Sequence, residues 1–148
     1  MAARRGPSQP IQAISSTGST GSAGPVRPTL PDIDPDIFDF ETLGVIYRWD
    51  VAKLRKVLTG FTNDVHDKLV ALDVAHAKGD VEAIRHLAHA LKGSAQSAGA
   101  NRFGTLAANV ENFVRDGNAE AVDMLVPLLA PTLAELRDAI APFIVPNG

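Results

Sequence analysis

The stretch His89-Ala90-Leu91-Lys92-Gly93-Ser94-Ala95-Gln96-Ser97-Ala98-Gly99-Ala100 decides how this chain reads. Set on a helical wheel with the residues before it, at about 100° per residue, Ile84, Leu87, Ala88, Leu91, Ala95 and Ala98 gather within roughly 100° of arc. An apolar stripe of that width faces a core. By the same rotation His89 lies about 150° from the centre of the stripe. Glu82, Arg85, His86, Gly93 and Gln96 share that outer face. The pattern predicts a helix that starts after Asp80, ends at Gly99, and carries an exposed histidine in its middle.

Gly93 is the informative neighbour. A glycine in mid-helix costs roughly 1 kcal/mol against alanine, and this one lies a turn from His89 on the same side. It removes a side chain that would crowd the imidazole. Ser94, Ala95, Ser97, Ala98 and Ala100 keep the surroundings small, as an imidazole entering another protein's active site requires. Lys92, three residues on, is close enough to offset a developing negative charge. An ordinary histidine pKa of about 6.5 leaves a neutral nucleophilic nitrogen near neutral pH. Arg85, His86 and Gln96 are candidates for contacting a partner around His89.

Working outward, further helices flank this one. Asp39 can cap a short helix with Phe40, Leu43 and Ile46, and Asp50 a long one with Val51, Leu54, Leu58, Phe61, Val65, Leu69 and Leu72. Gly60 is a weak point in that helix, and Gly79 ends it. Beyond Gly99 a helix carries Phe103, Ala107, Val110 and Val114 and ends at Gly117. Asn118 can cap the last, whose stripe is Val122, Leu125, Leu129, Leu133, Leu136, Ile140 and Phe143. Pro127 and Pro131 predict that this segment is bent or split there. No stretch shows strand alternation. Short connections between amphipathic helices predict an all-α fold, an antiparallel four-helix bundle with an extra short N-terminal helix.

Residues 1–36 differ in kind. They hold six of the ten prolines and four of the twelve glycines, with a low-complexity run at Ser15–Ser22. Such a segment buries too little apolar surface to offset its ordering entropy. It reads as a disordered tail, which leaves residues 37–145 as the domain.

Composition narrows the function classes. The 148 residues carry a formal net charge of −3, without the basic footprint of nucleic-acid binding. Cysteine is absent, which excludes thiolate metal sites, disulfides and cysteine nucleophiles, and suits a cytoplasmic setting. No apolar run reaches the length of a membrane span, and no signal-peptide core is visible.

The string from His89 to Ala100 resembles the signature of histidine-containing phosphotransfer (HPt) domains, His-x-Leu-Lys-Gly-Ser followed by Gly-Ala. Every fixed position is met: the family's phosphoacceptor falls on His89, its lysine and glycine on Lys92 and Gly93, its Gly-Ala on Gly99 and Ala100. More loosely, Leu58, Phe61, Val65, Leu69 and Leu72 look like the family's second-helix stripe. Phe103, Ala107, Val110 and Glu111 look like its fourth-helix pattern. The resemblance spans about residues 37–144. It implies a phosphocarrier without an ATP site, in place of an enzyme. Such a protein takes a phosphoryl group from a receiver-domain aspartate or a kinase and passes it to a response regulator. The expected partners are receiver domains of response regulators and hybrid histidine kinases, and a monomer is the default. No cofactor is implied for this chain, since Mg²⁺ belongs to the receiver. No Gly-rich ATP box, phosphate loop or receiver-type acidic cluster is visible, so the chain reads as a separate phosphotransfer protein.

Two rival readings are weaker. A metal-binding bundle would use His86 and His89, but no Glu-x-x-His motif occurs and both histidines point away from the predicted core. An adaptor that has lost phosphotransfer would be expected to lack His89, Lys92 or Gly93, and all three are present.

Overall fold

The computed structural model describes residues 26–145. Five helices follow in order: α1 (Phe40–Ile46), α2 (Val51–Lys78), α3 (Val81–Ala98), α4 (Asn101–Arg115) and α5 (Ala119–Ile144). Among the described residues there is no strand. Their ends are set by local chemistry. The carboxylates of Asp39, Asp50 and Asp80, and the Asn118 amide oxygen, each accept a backbone N–H of the first turn. Gly79 and Gly99 close α2 and α3 in the left-handed conformation, at φ 69° and 92°.

Helices α2 to α5 form the bundle. Each packs on its neighbours in sequence, and α5 closes the ring against α2. The turns between them are two or three residues long, so neighbours run antiparallel. The core is drawn largely from the stripes read from the sequence, with Val51, Phe61 and Leu87 half-buried at its edge. Leu54, Leu58, Leu72, Leu91, Ala107, Val110, Leu129 and Ile140 are fully buried. Replacing such a leucine by alanine costs about 2–5 kcal/mol, transfer and cavity together. Gly60 does not interrupt α2, because one exposed glycine costs far less than the packing of 28 residues gains.

Four expectations need correction. The last segment, expected to be bent or split, is not split: α5 runs unbroken through Pro127, Pro131 and Pro142. All three prolines lie on its exposed face, so the carbonyls left unpaired one turn back face water while the opposite stripe stays packed. In that stripe Val126 is buried where Leu125 was expected, and Leu125 is half-buried at the rim. Ile46 is 64% exposed, because α1 ends there and touches the bundle through Phe40 and Leu43 instead.

The fourth correction concerns the expected tail. Residues 1–25 lie outside the described residues, but 26–36 are held against the bundle. Leu30 and Ile33 pack on the core. The Ala100 side chain cannot cap α4, so a carbonyl from this segment does: Arg102 N–H donates to Asp36 O at 2.7 Å. The Arg102 guanidinium pairs with Asp36 at 3.1 Å and with Glu135 of α5 at 3.0 Å. Phe38, not singled out in the sequence, is 1% exposed and meets Phe40 edge to face.

Gly99 is where this segment locks onto α3. Its carbonyl accepts the Asp39 N–H at 2.9 Å. A Cβ at Gly99 would stand 2.5 Å from the Asp39 carbonyl oxygen, so both the positive φ and the close approach demand glycine.

Candidate functional site

The site lies between α3 and α4, which pack closely through small residues. Gly104 of α4 faces Ala95, near enough that an added Cβ would lie 3.3 Å from the Ala95 methyl. Two small residues in register let the backbones approach. Two turns along, this places Glu111 of α4 beside His89 and Lys92 of α3.

Glu111 bridges the two. Its Oε2 lies 2.8 Å from His89 Nδ1 and its Oε1 2.8 Å from Lys92 Nζ. The Glu111 side chain is 11% exposed, while that of His89 is 65% exposed. A carboxylate so enclosed needs partners for both oxygens, and it has them. The hydrogen bond from Lys92 holds the Glu111 carboxyl below its ordinary range; burial opposes this and the hydrogen bond from His89 adds to it. An ionised carboxylate only accepts hydrogen bonds, so Nδ1 must carry the proton. In the neutral imidazole Nε2 is then the unprotonated nitrogen, on the far side of the ring from Glu111.

The remaining residues expected at the site lie as follows. Gly93 is exposed, and an added Cβ would meet nothing within 4 Å. No contact inside the chain therefore requires a glycine there. Arg85 and His86 line a shallow hollow with His89 and Glu111. The Arg85 guanidinium is held by Glu82 at 3.0 Å. Gln96 is exposed two turns from His89. Lys92, expected near enough to His89 to offset a developing negative charge, has its ammonium on Glu111. Arg102 of α4 is committed to Asp36 and Glu135 at the end of the bundle. His76 of α2 pairs with Asp123 of α5 at 2.7 Å, away from this site. Among the described residues, no three His, Asp or Glu side chains gather as a metal site would need.

Glu111 was not among the expected site residues. Beyond its place in the fourth-helix resemblance, its sequence signal is position: a carboxylate beside the apolar stripe of Ala107, Val110 and Val114, where an acidic side chain is costly unless paired.

The model of the Hpt domain matches residues 56–141, more than half of the sequence. The chain belongs to the Hpt domain family. None of the curated proteins matches it in sequence. Among solved structures it is similar to histidine-containing phosphotransfer protein B (HptB) from Pseudomonas aeruginosa PAO1. The TM-score is 0.66 at 24% identity, over 71% of this chain and 91% of the other. That likeness is one of fold. The Hpt match takes in most of α2, all of α3 and α4, and most of α5. His89, Lys92, Gly93 and Glu111 of this Hpt domain all lie within it.

Proposed function

We propose that this Hpt domain is a phosphorelay intermediate that carries a phosphoryl group on Nε2 of His89, between receiver-domain aspartates of hybrid kinases and response regulators. The observation that carries the reading is the Glu111 contact to Nδ1. It leaves the other ring nitrogen as an exposed nucleophile, in mid-helix, with the open surface of Gly93 one turn away.

The chemistry follows from that arrangement. The Nε2 lone pair attacks the phosphorus of an aspartyl phosphate. The N–P bond forms, the anhydride O–P bond breaks, and the aspartate carboxylate leaves. The ring gains positive charge as it attacks. Its Nδ1–H stays hydrogen-bonded to the Glu111 carboxylate, which opposes that charge and is already in place before the reaction. The reverse step regenerates the neutral ring with the same proton on Nδ1. Proton transfer through solvent is not needed in either direction. Mg²⁺ is assigned to the receiver, and Arg85, His86 and Gln96 to the surface that meets it. The chain itself is a phosphocarrier in this reading.

The test is to mix the protein with a phosphorylated receiver domain and Mg²⁺, and to follow acid-labile, base-stable phosphate. Wild type is expected to take the label and His89→Gln to take none. Label on both proteins would move the site to another histidine, His86 first. No label on wild type from any of several receivers would refute the relay reading.

A further inference from the structure

Helix α5 is apolar on two sides. Its inward stripe fills the core, but Met124, Pro127, Leu128, Pro131 and Ala134 lie on the opposite side and are exposed, Met124 by 69% and Leu128 by 48%. Between Asp123 and Glu135 the sequence has no charged residue. Its one polar side chain there, Thr132, donates to the Leu128 carbonyl of its own helix. At about 100° per residue the five exposed side chains fall within roughly 120° of arc. A bundle helix with one side in water ordinarily carries polar and charged residues on that side. Single exposed apolar residues need no explanation, but a continuous strip of them marks a contact surface.

Two further features say what the strip fits. The first is charge. Glu120 and Asp138 lie in line with the strip, one beyond each end, five turns or about 27 Å apart. Among the described residues neither carboxylate has a salt-bridge partner. Asp123 and Glu135 are held by His76 and Arg102, and the exposed Arg137 lies about 100° round the helix from Asp138. A second copy of the chain is therefore a poor occupant. A two-fold axis at the middle of the strip, level with Leu129, sets Glu120 of one copy against Asp138 of the other, and like charges so placed repel. An anionic membrane is disfavoured in the same way. The second feature is the backbone. Proline has no N–H, so Pro127, Pro131 and Pro142 leave the carbonyls of Asp123, Pro127 and Asp138 without their helical donors on this side. An occupant that dries the strip must supply donors to them, as long basic side chains do.

We propose that the outer side of α5 is a docking surface for an amphipathic helix of another protein, apolar along one face and with lysine or arginine at both ends, about five turns apart. Helix α5 packs on α4 and α2 and lies across the bundle from α3. The occupant therefore leaves His89 uncovered, and this surface and the one assigned to receivers can be filled at once.

The probe is a synthetic helical peptide of about twenty residues, with leucines along one face and arginines at both ends, carrying a fluorescent label. Its control has glutamate in place of each arginine. Binding to the full chain is followed by fluorescence anisotropy. The arginine-ended peptide should bind about tenfold more tightly than the control at low salt, and the gap should narrow as salt screens the exposed charges. Glu120→Lys combined with Asp138→Lys should reverse the preference. Leu128→Gln, or Met124→Gln if that variant does not fold, should weaken binding by about tenfold. In the ¹H–¹⁵N spectrum the arginine-ended peptide should move the amide signals of residues 120–138 and leave those around His89 in place. Equal affinity for the two peptides, a preference that survives the double lysine variant, or shifts centred on α3 would overturn the proposal. So would self-association in sedimentation that Leu128→Gln abolishes, which would make the occupant a second copy. Binding to phosphatidylglycerol vesicles that the same variant abolishes would overturn it in favour of a membrane.

Discussion

Replacing Gly93 by alanine should make this protein more stable and a poorer phosphoryl acceptor. An alanine in mid-helix is favoured over glycine by about 0.8–1 kcal/mol. At this position nothing offsets the gain, because an added Cβ meets no atom within 4 Å. For a domain of this size that corresponds to a rise of about 3–5 °C in Tm. Gly60 supplies a matched control: it is also exposed, lies within α2, and has the same open space around it. Gly60→Ala should raise Tm by a similar amount and leave transfer unchanged. At Gly93 the new methyl lies one turn from His89, on the surface that the proposed relay assigns to the receiver. Overpacking a close contact costs about 1–3 kcal/mol. Expressed in the transition state for transfer, that is a loss of about 5- to 150-fold in kcat/KM. The assay is single-turnover transfer from a phosphorylated receiver, with thermal unfolding of the same samples. If Gly93→Ala is stabilised and transfers at the wild-type rate, the glycine is not reserved for a partner. If it is destabilised, the reading of Gly93 as an open helical position is wrong.

Other substitutions test the rest of the framework. Gly99→Ala should destabilise by about 2–4 kcal/mol, since it combines a positive φ with a Cβ 2.5 Å from the Asp39 carbonyl oxygen, and a falling Tm would register it. Pro131→Ala, on the exposed face of α5, should stabilise by about 1–2 kcal/mol: a helix-interior proline is worth roughly 3 against alanine, less what its rigidity contributes by restricting the unfolded chain. An unchanged or lower denaturant midpoint would show that the ring packs on something. Glu111 has a folded-state pKa below its ordinary 4.5, so its pairing contributes stability above the unfolded value and loses it as pH falls through the folded one. Wild type should therefore lose stability relative to Glu111→Gln as pH drops below about 4.5 in paired denaturation curves, and parallel curves would argue against an ionised, paired Glu111.

Much of the fold was legible in the residues because helices announce themselves locally. Aspartate, asparagine and glycine at the ends, and apolar residues at steps of three and four, need no knowledge of what lies across the core. The stripes of α2, α3 and α4 and the exposure of His89 follow from that periodicity alone. Where the reading slipped, a long-range balance decided. The prolines of α5 are tolerated because the bundle packs its opposite face. Val126 displaces Leu125 because the rotation of a long helix is set by its neighbours. Residues 26–36 are compositionally a linker, yet Leu30, Ile33 and Asp36 find partners that exist only once the bundle has packed.

The same division runs through the site. His89, Lys92 and Gly93 lie within five residues of one helix, so rotation alone puts them within a turn of each other. Which nitrogen of His89 is free, and what Lys92 touches, were not decided there. Both depend on Glu111, which is 22 residues away in sequence and reaches the imidazole only because Ala95 and Gly104 let α3 and α4 pack closely. The exposure of His89 could be read from the order of residues, since helical geometry is a local property. Its protonation geometry could not, because a hydrogen bond between two helices exists only after they pack.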